Sequence, residues 1–374
     1  MRKGRIDVII PCYKAHGTIF RTLSSIASQT ILSDVDVTLV NDACPEGDYS
    51  QFVKLFKPYM SIKEVKLKEN GGPGVARQAG IDATDDEFFT CMDADDTLVG
   101  ALALEILREG ISIDNVVKCC SAAFTQLGEN LQTMAVHQND MVWMFGKIYR
   151  REFIDQYKIR FNKTRANEDT GFNTMVKLLC DNPMEQVRFI TENVYYWHNK
   201  ENSITRINDG QYAYDQCLCG WTDNMIDAIN HVRKCKPFSG AAIQSTVQCL
   251  LNLYYYYVET LARKPVFAEQ NWEYVKKYYH AVYKRIEDDI SDEIFGQMFS
   301  ATSQEKWASG SLFGIVPEIG IHEFMDKLKA EEYDPNHIYD IWQKMNDDPE
   351  SKKLIENNVQ CGVCHDGYWN KPFV

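Results

Sequence analysis

The chain has 374 residues, 45% hydrophobic and 25% charged, with a formal net charge of −13 at pH 7. That length supports more than one ordinary domain, and the composition excludes a disordered or low-complexity chain. The acidic balance disfavours a general polyanion binder, so an anionic ligand needs local help from a metal or an arginine.

The N-terminal "MRKGRIDVIIPCYK" is basic, but its apolar run is too short for a signal peptide or a membrane span. No other stretch offers about 18 consecutive apolar residues. We therefore expect no membrane span and a cytoplasmic protein, at most peripheral to a membrane. The twelve cysteines are scattered without the framework of a small secreted fold, which suits reduced thiols used as small core residues.

The first hundred residues alternate strand and helix signals. "IDVII" (6–10) ends at Pro11 and "VDVTLV" (35–40) ends at Asn41-Asp42, while Ile19, Leu23 and Ile26 between them fall at helical spacing. A weaker strand covers 62–67, "NGGPGVARQAG" opens a short helix, and "EFFTCM" (87–92) is the next strand. This βαβα pattern predicts a Rossmann-like α/β sheet flanked by helices, whose ligands bind beyond the carboxyl ends of the strands. Those ends carry Pro11-Cys12-Tyr13, Asn41-Asp42 and Asp93-Ala94-Asp95.

A helix near 101–108 and a strand-like run at 115–124 follow. Phe172, Met175, Val176 and Leu179 make one helical face, and "VRFI" and "VYYWH" (194–198) read as two short strands. From about residue 211 the pattern becomes helical and rich in tyrosine, as in "CLLNLYYYYVETLAR". We place a boundary near residue 210, dividing a 1–210 α/β domain from a 211–374 helical region.

"GGPGVARQAG" is not a P-loop, because Val75-Ala76-Arg77 stands where Lys-Ser/Thr is needed, and it lacks the third glycine of the dinucleotide fingerprint. It reads as a turn into a helix whose Arg77 faces the aspartates. Asp93 and Asp95, two apart on an extended segment, can face one ligand, and oxygen-only donors suit Mg²⁺ or Mn²⁺. The bland alternative has Asp95 or Asp96 capping a helix that begins near Leu98. Cys361-Gly362-Val363-Cys364-His365 has the spacing of a haem attachment motif, but a solvated thiol pair or half of a zinc site suits it better.

The ordered series of motifs resembles the family 2 glycosyltransferases, inverting enzymes with the GT-A fold. "VIIPCYK", "VTLVNDACPEGD", "ENGGPGVARQAGI" and "FTCMDADD" carry the likeness, together with "GKIYRREFI", "NEDTGFNTMV" and "VYYWHNKENSITR". It covers roughly residues 5–207. The resemblance implies a nucleotide-diphosphate sugar donor, UDP-sugar first, and a Mn²⁺ or Mg²⁺ cofactor on Asp95 with His198 as a further candidate ligand. It puts Asp42 and Arg77 on the nucleotide, Pro11 and Tyr13 along base and ribose, Asp93 near ribose or sugar, and Arg206 over the diphosphate. Asp169 matches the base that deprotonates the acceptor hydroxyl, and Glu168 is the less favoured base or an acceptor-orienting group.

A helix start at Asp169 is expected to keep its carboxylate ionised. The implied acceptor is a glycan, polysaccharide or glycolipid. Residues 1–210 are then the catalytic domain, and the 211–374 helical region is expected to serve acceptor selection or oligomerisation. A phage-type transfer to a modified nucleic-acid base is the alternative, for which "KIRFNKTR" (158–165) supplies a local basic stretch. The rival from another class is a catalytically silent nucleotide-sugar-binding protein on the same fold.

Overall fold

The structure is a computed structural model that describes residues 2–164, 166–199 and 220–237. The chain divides into two compact units, Met1–Ser203 with Asp227–Phe238, and Ile204–Ile226 with Ser239–Val374. All nine described strands lie in the first. Most of the expected helical region beyond residue 210 falls outside the described residues, helix Gly220–Cys235 excepted. No helix among the described residues is long and apolar enough to cross a membrane.

Strands β1 (Arg2–Cys12), β2 (Val35–Asn41), β3 (Ser61–Lys66) and β4 (Asp86–Cys91) form a parallel block in the order β3-β2-β1-β4. Their apolar runs are continuous rather than alternating because helices cover both faces of a parallel sheet. Ile6, Val8, Ile9 and Ile10 are fully buried, and each such side chain contributes about 1.5–3 kcal/mol. Helix α1 (Ile19–Ala27) buries Ile19, Leu23 and Ile26 as their spacing predicts. Helices α2 (Ser50–Phe56) and α3 (Pro73–Asp82) are the next crossovers.

Beyond β4 the sheet becomes mixed. After the two-residue β5 (Thr97–Leu98) and α4 (Ala103–Ser112) come β6 (Cys119–Leu127), β7 (Thr133–His137) and β8 (Lys147–Arg150). Strand β8 pairs antiparallel with both β4 and β6. Helices α5 (Arg151–Gln156), α6 (Glu168–Leu179) and α7 (Pro183–Gln186) precede β9 (Val187–His198). The two short strands expected at the end of the domain are one continuous strand. Its register against β6 shifts twice, between Ala122 and Phe124, and those bulges absorb the polar "TEN" that reads as a break in sequence.

Two arginines of "GKIYRREFI" tie the scaffold together. Arg151 donates to the Asp86 and Ile81 carbonyls and to Asp7 Oδ2, tying α5 to β1 and β4. Arg150 donates to the Val117, Ile111 and Asp114 carbonyls. Both are at most 5% exposed, and their partners make that burial tolerable.

Candidate active site

Strand register brings the polar strand ends together. Cys12 pairs with Asn41 across β1 and β2, and Ile9 pairs with Cys91 across β1 and β4. The chain runs outward from β1 to β2 and β3, then crosses back to place β4 on the other side of β1. Ligands of such sheets bind in the crevice at the carboxyl ends, beside this switch in strand order.

The acidic turn after β4 is held from behind. Asp96 N–H donates to the Asp93 carbonyl at 3.2 Å, and Thr22 of α1 donates to the Ala94 and Asp96 carbonyls at 3.0 and 2.8 Å. Asp96 is 1% exposed, and its carboxylate accepts from the Tyr195 hydroxyl at 2.6 Å and the His198 amide at 2.8 Å. Burial, then the neighbouring Asp95 and Asp93, push its carboxyl well above the usual range.

This arrangement overturns the helix-cap reading. Residues 97–98 pair with β9, and α4 starts at Ala103, behind Leu102 with no side-chain cap. The acids instead make a metal-capable group, in which ligand oxygens of Asp93, Asp95 and Asp96 lie within 4.8 Å of one another. Asp96 is engaged inward, whereas Asp93 and Asp95 keep solvent contact, so an all-oxygen site for Mg²⁺ or Mn²⁺ fits those two best.

Arg77 stands where the spacing placed it, facing the aspartates. Its Nη2 donates to Asp93 Oδ1 at 2.6 Å, and its Nη1 donates to Glu168 Oε1. Gly74 makes this close approach possible. A Cβ there would come within 2.9 Å of the Asn162 carbonyl oxygen and of Glu168 Cγ, forcing α3 away from α6. Asp42 is 3% exposed and accepts from Gly71 N–H at 2.8 Å, Gly72 N–H at 2.9 Å and the Asn70 amide at 3.0 Å. In this state it organises the loop that launches α3.

Helix α6 begins behind Asn167, whose φ of 62° is left-handed, a conformation asparagine tolerates better than most residues. Asp169 is therefore the second helical residue and not the cap. Its Oδ1 accepts from Thr170 N–H at 2.8 Å, and it has no ion-pair partner among the described residues. The expectation of a firmly ionised Asp169 does not hold. Desolvation, then Glu168, push its carboxyl up to about 7, against the opposing pull of Arg77. Local surroundings outweigh the helix dipole, whose effect is worth typically 0.3–1 kcal/mol. Glu168 is 5% exposed and is held by its ion pair with Arg77.

Residues 7–171 match the family model described as Glycosyl transferase family 2. The chain carries a family 2 glycosyltransferase domain. A curated relative, the uncharacterized glycosyltransferase EpsJ of Bacillus subtilis (strain 168), is 25% identical over 223 residues, 54% of this chain and 63% of that protein. Another is the poly(ribitol-phosphate) beta-N-acetylglucosaminyltransferase TarS of Staphylococcus aureus (strain Mu50 / ATCC 700699). It is 29% identical over 213 residues, 52% of this chain and 36% of that protein. The chain thus matches less than two thirds of the length of these relatives.

The solved structure of S. aureus TarS 1-349 in complex with UDP-GlcNAc superposes with a TM-score of 0.56 at 15% identity. That match covers 96% of this chain and 92% of that one. The glycosyltransferase domain has the GT-A fold, a mixed sheet with flanking helices.

The other expected site residues of the glycosyltransferase domain take varied positions. Pro11 lies at the end of β1, and Tyr13, just beyond, is 45% exposed at the crevice rim. His198 belongs to β9 beside the acidic turn, where its amide bonds to Asp96 and its Nε2 lies 3.0 Å from the Thr97 hydroxyl. Arg206 and the Cys361-Cys364-His365 motif lie outside the described residues. Within the basic stretch, Arg160 is paired with Asp82. Sequence reading missed Tyr195, the hinge pin of the acidic turn. Its only signal is a tyrosine in an aromatic strand, which core packing explains equally well.

Proposed function

We propose that the chain is an inverting glycosyltransferase that moves a sugar from a nucleotide-diphosphate sugar to an acceptor hydroxyl. The observation that carries this reading is Arg77, which ties the acidic turn at Asp93 to the start of α6, where Asp169 sits. A donor-side acid cluster and a proton acceptor near pH 7 thereby face one crevice. In the reaction, Asp169 takes the acceptor hydroxyl proton while that oxygen attacks the anomeric carbon opposite the departing diphosphate. A single displacement of this kind inverts the anomeric centre.

Asp95 and Asp93 are the residues that would hold Mn²⁺ or Mg²⁺, which supplies charge compensation for the leaving diphosphate when bound. We assign His198 a supporting place beside them through its amide bond to Asp96. Arg77 positions Asp93 and Glu168 through its two terminal nitrogens, and its remaining N–H donors are available to the nucleotide. UDP-GlcNAc, named with the TarS structure, is the first donor to test. The relatives named for transfer to poly(ribitol-phosphate) support a glycan-type polymer as acceptor class. The decisive experiment incubates the protein with UDP-, GDP- and dTDP-sugars, Mn²⁺ and candidate glycans. We expect nucleoside diphosphate release with one donor and an inverted anomeric linkage by NMR. Binding of a donor with no transfer to any acceptor class would favour the silent binding protein, and a retained anomer would refute the single displacement.

A further inference from the structure

At the same edge of the sheet, but apart from the acidic turn, His16, Cys44 and Glu46 converge from two loops. Their ligand atoms lie within 4.8 Å of one another. His16 follows β1, and Cys44 and Glu46 follow β2. His16 Nε2 lies 3.0 Å from the Asp48 carbonyl oxygen. A carbonyl only accepts, so Nε2 carries the hydrogen and donates it. Nδ1 then faces Glu46 Oε2 at 3.3 Å, yet this buried nitrogen has no aligned hydrogen-bond partner among the described residues.

Three features suit a cation between these groups. A histidine anchored to a backbone carbonyl through one nitrogen, with the other aimed at ligand atoms, is how metal-binding imidazoles are oriented. Tetrahedral zinc, with bonds of about 2.0–2.3 Å, sets its ligand atoms about 3.3–3.6 Å apart with their lone pairs aimed at the metal and not at each other. The off-line 3.3 Å contact of His16 with Glu46 fits that geometry. Cys44 Sγ accepts from the Lys14 amide at 3.2 Å, a contact that fixes the sulfur beside the imidazole.

The frame is also built in advance. The His16 ring stacks on Tyr49 at 4.3 Å, and the Tyr49 hydroxyl accepts from Ala15 N–H. Buried Asn41 accepts from Cys44 N–H at 2.9 Å and donates to the Gly47 carbonyl, which sets the second loop. We propose that His16, Cys44 and Glu46 form a binding site for one borderline-soft divalent cation, zinc in first place. A mixed imidazole, thiolate and carboxylate set selects such a cation over the hard ions that suit Asp93 and Asp95. Three protein ligands leave a fourth position to water. The cation would clip the loop after β1 to the loop after β2, and so order the wall that carries Tyr13 and Asp42.

The test uses the full chain with Cys361→Ser and Cys364→Ser, which removes the tail thiols. Chelator-stripped protein is titrated with Co²⁺ or Cd²⁺, and thiolate-to-metal charge-transfer absorption is read. Competition for Zn²⁺ against a chromophoric chelator gives the affinity. We expect one equivalent with a thiolate band that Cys44→Ser abolishes. Zinc affinity should fall at least about 10-fold in His16→Gln, which keeps a donor for the Asp48 carbonyl, and should not change in Asp95→Asn. An unchanged band in Cys44→Ser would overturn the site. So would absence of any retained equivalent, which would leave His16 and Glu46 as a simple ion pair. Circular dichroism of each variant separates ligand loss from unfolding.

Discussion

The Tyr195 hydroxyl donates to Asp96 Oδ2 at 2.6 Å and accepts from the Asp93 amide at 3.1 Å, so one phenol pins both ends of the acidic turn. Tyr195 is 2% exposed and stacks on Phe145. Its replacement by phenylalanine keeps the packing and removes both bonds. Leaving buried Asp96 short of a donor costs about 1–3 kcal/mol. We expect Tyr195→Phe to lower the urea midpoint and to weaken Mn²⁺–nucleotide binding together. Loss of stability with unaltered binding would mean that the turn keeps its shape without the pin.

Asp95→Asn should leave the fold intact and abolish metal-dependent donor binding. The substitution takes charge from the metal-phosphate site while relieving repulsion with Asp93 and Asp96. Calorimetric titration with nucleoside diphosphate and Mn²⁺ reads this directly, and wild-type binding would remove Asp95 from the site.

Asp169→Asn should bind donor normally and lose transfer by at least about 10²-fold. In the wild type the carboxyl must be ionised to accept a proton. With its value raised to about 7, kcat should rise with pH through neutrality and level off above it. A profile already flat from pH 5 would place the base elsewhere.

The same shift has a stability consequence of opposite sense. Asp169 is raised from 3.8 to about 7 in the folded protein, so the native state binds the extra proton and ionisation destabilises it. The cost starts near pH 4, grows to about pH 7 and stays constant above. Asp169→Asn should therefore melt higher than wild type at pH 8 and equally at pH 4, which parallel thermal scans would check.

Arg77→Met should destabilise by about 3–5 kcal/mol, because it strands Glu168 as an unpaired buried carboxylate. The double variant Arg77→Met/Glu168→Gln should recover most of that stability but not the transfer activity. Recovery of both in a chemical denaturation and turnover comparison would make the ion pair a scaffold element alone.

Much of the first four strands and their polar ends is legible in sequence. Strands buried on both faces must be unbroken apolar runs, and Pro11, Asn41-Asp42 and Asp93 mark where those runs stop. The motif series from "VIIPCYK" to "NEDTGF" likewise sufficed to recognise the family. Local signals failed where long-range contacts decide. Asp96 looks like a helix cap until Tyr195 and His198, about a hundred residues later, are seen to claim its carboxylate. Asp169 looks ionised by its helix, yet desolvation and Glu168, held in place by an arginine 91 positions earlier, set its proton affinity. Periodicity and capping act over a few residues and are written in the chain. Burial and electrostatic neighbours depend on which segments fold together, so only the tertiary structure decides what these carboxylates can do.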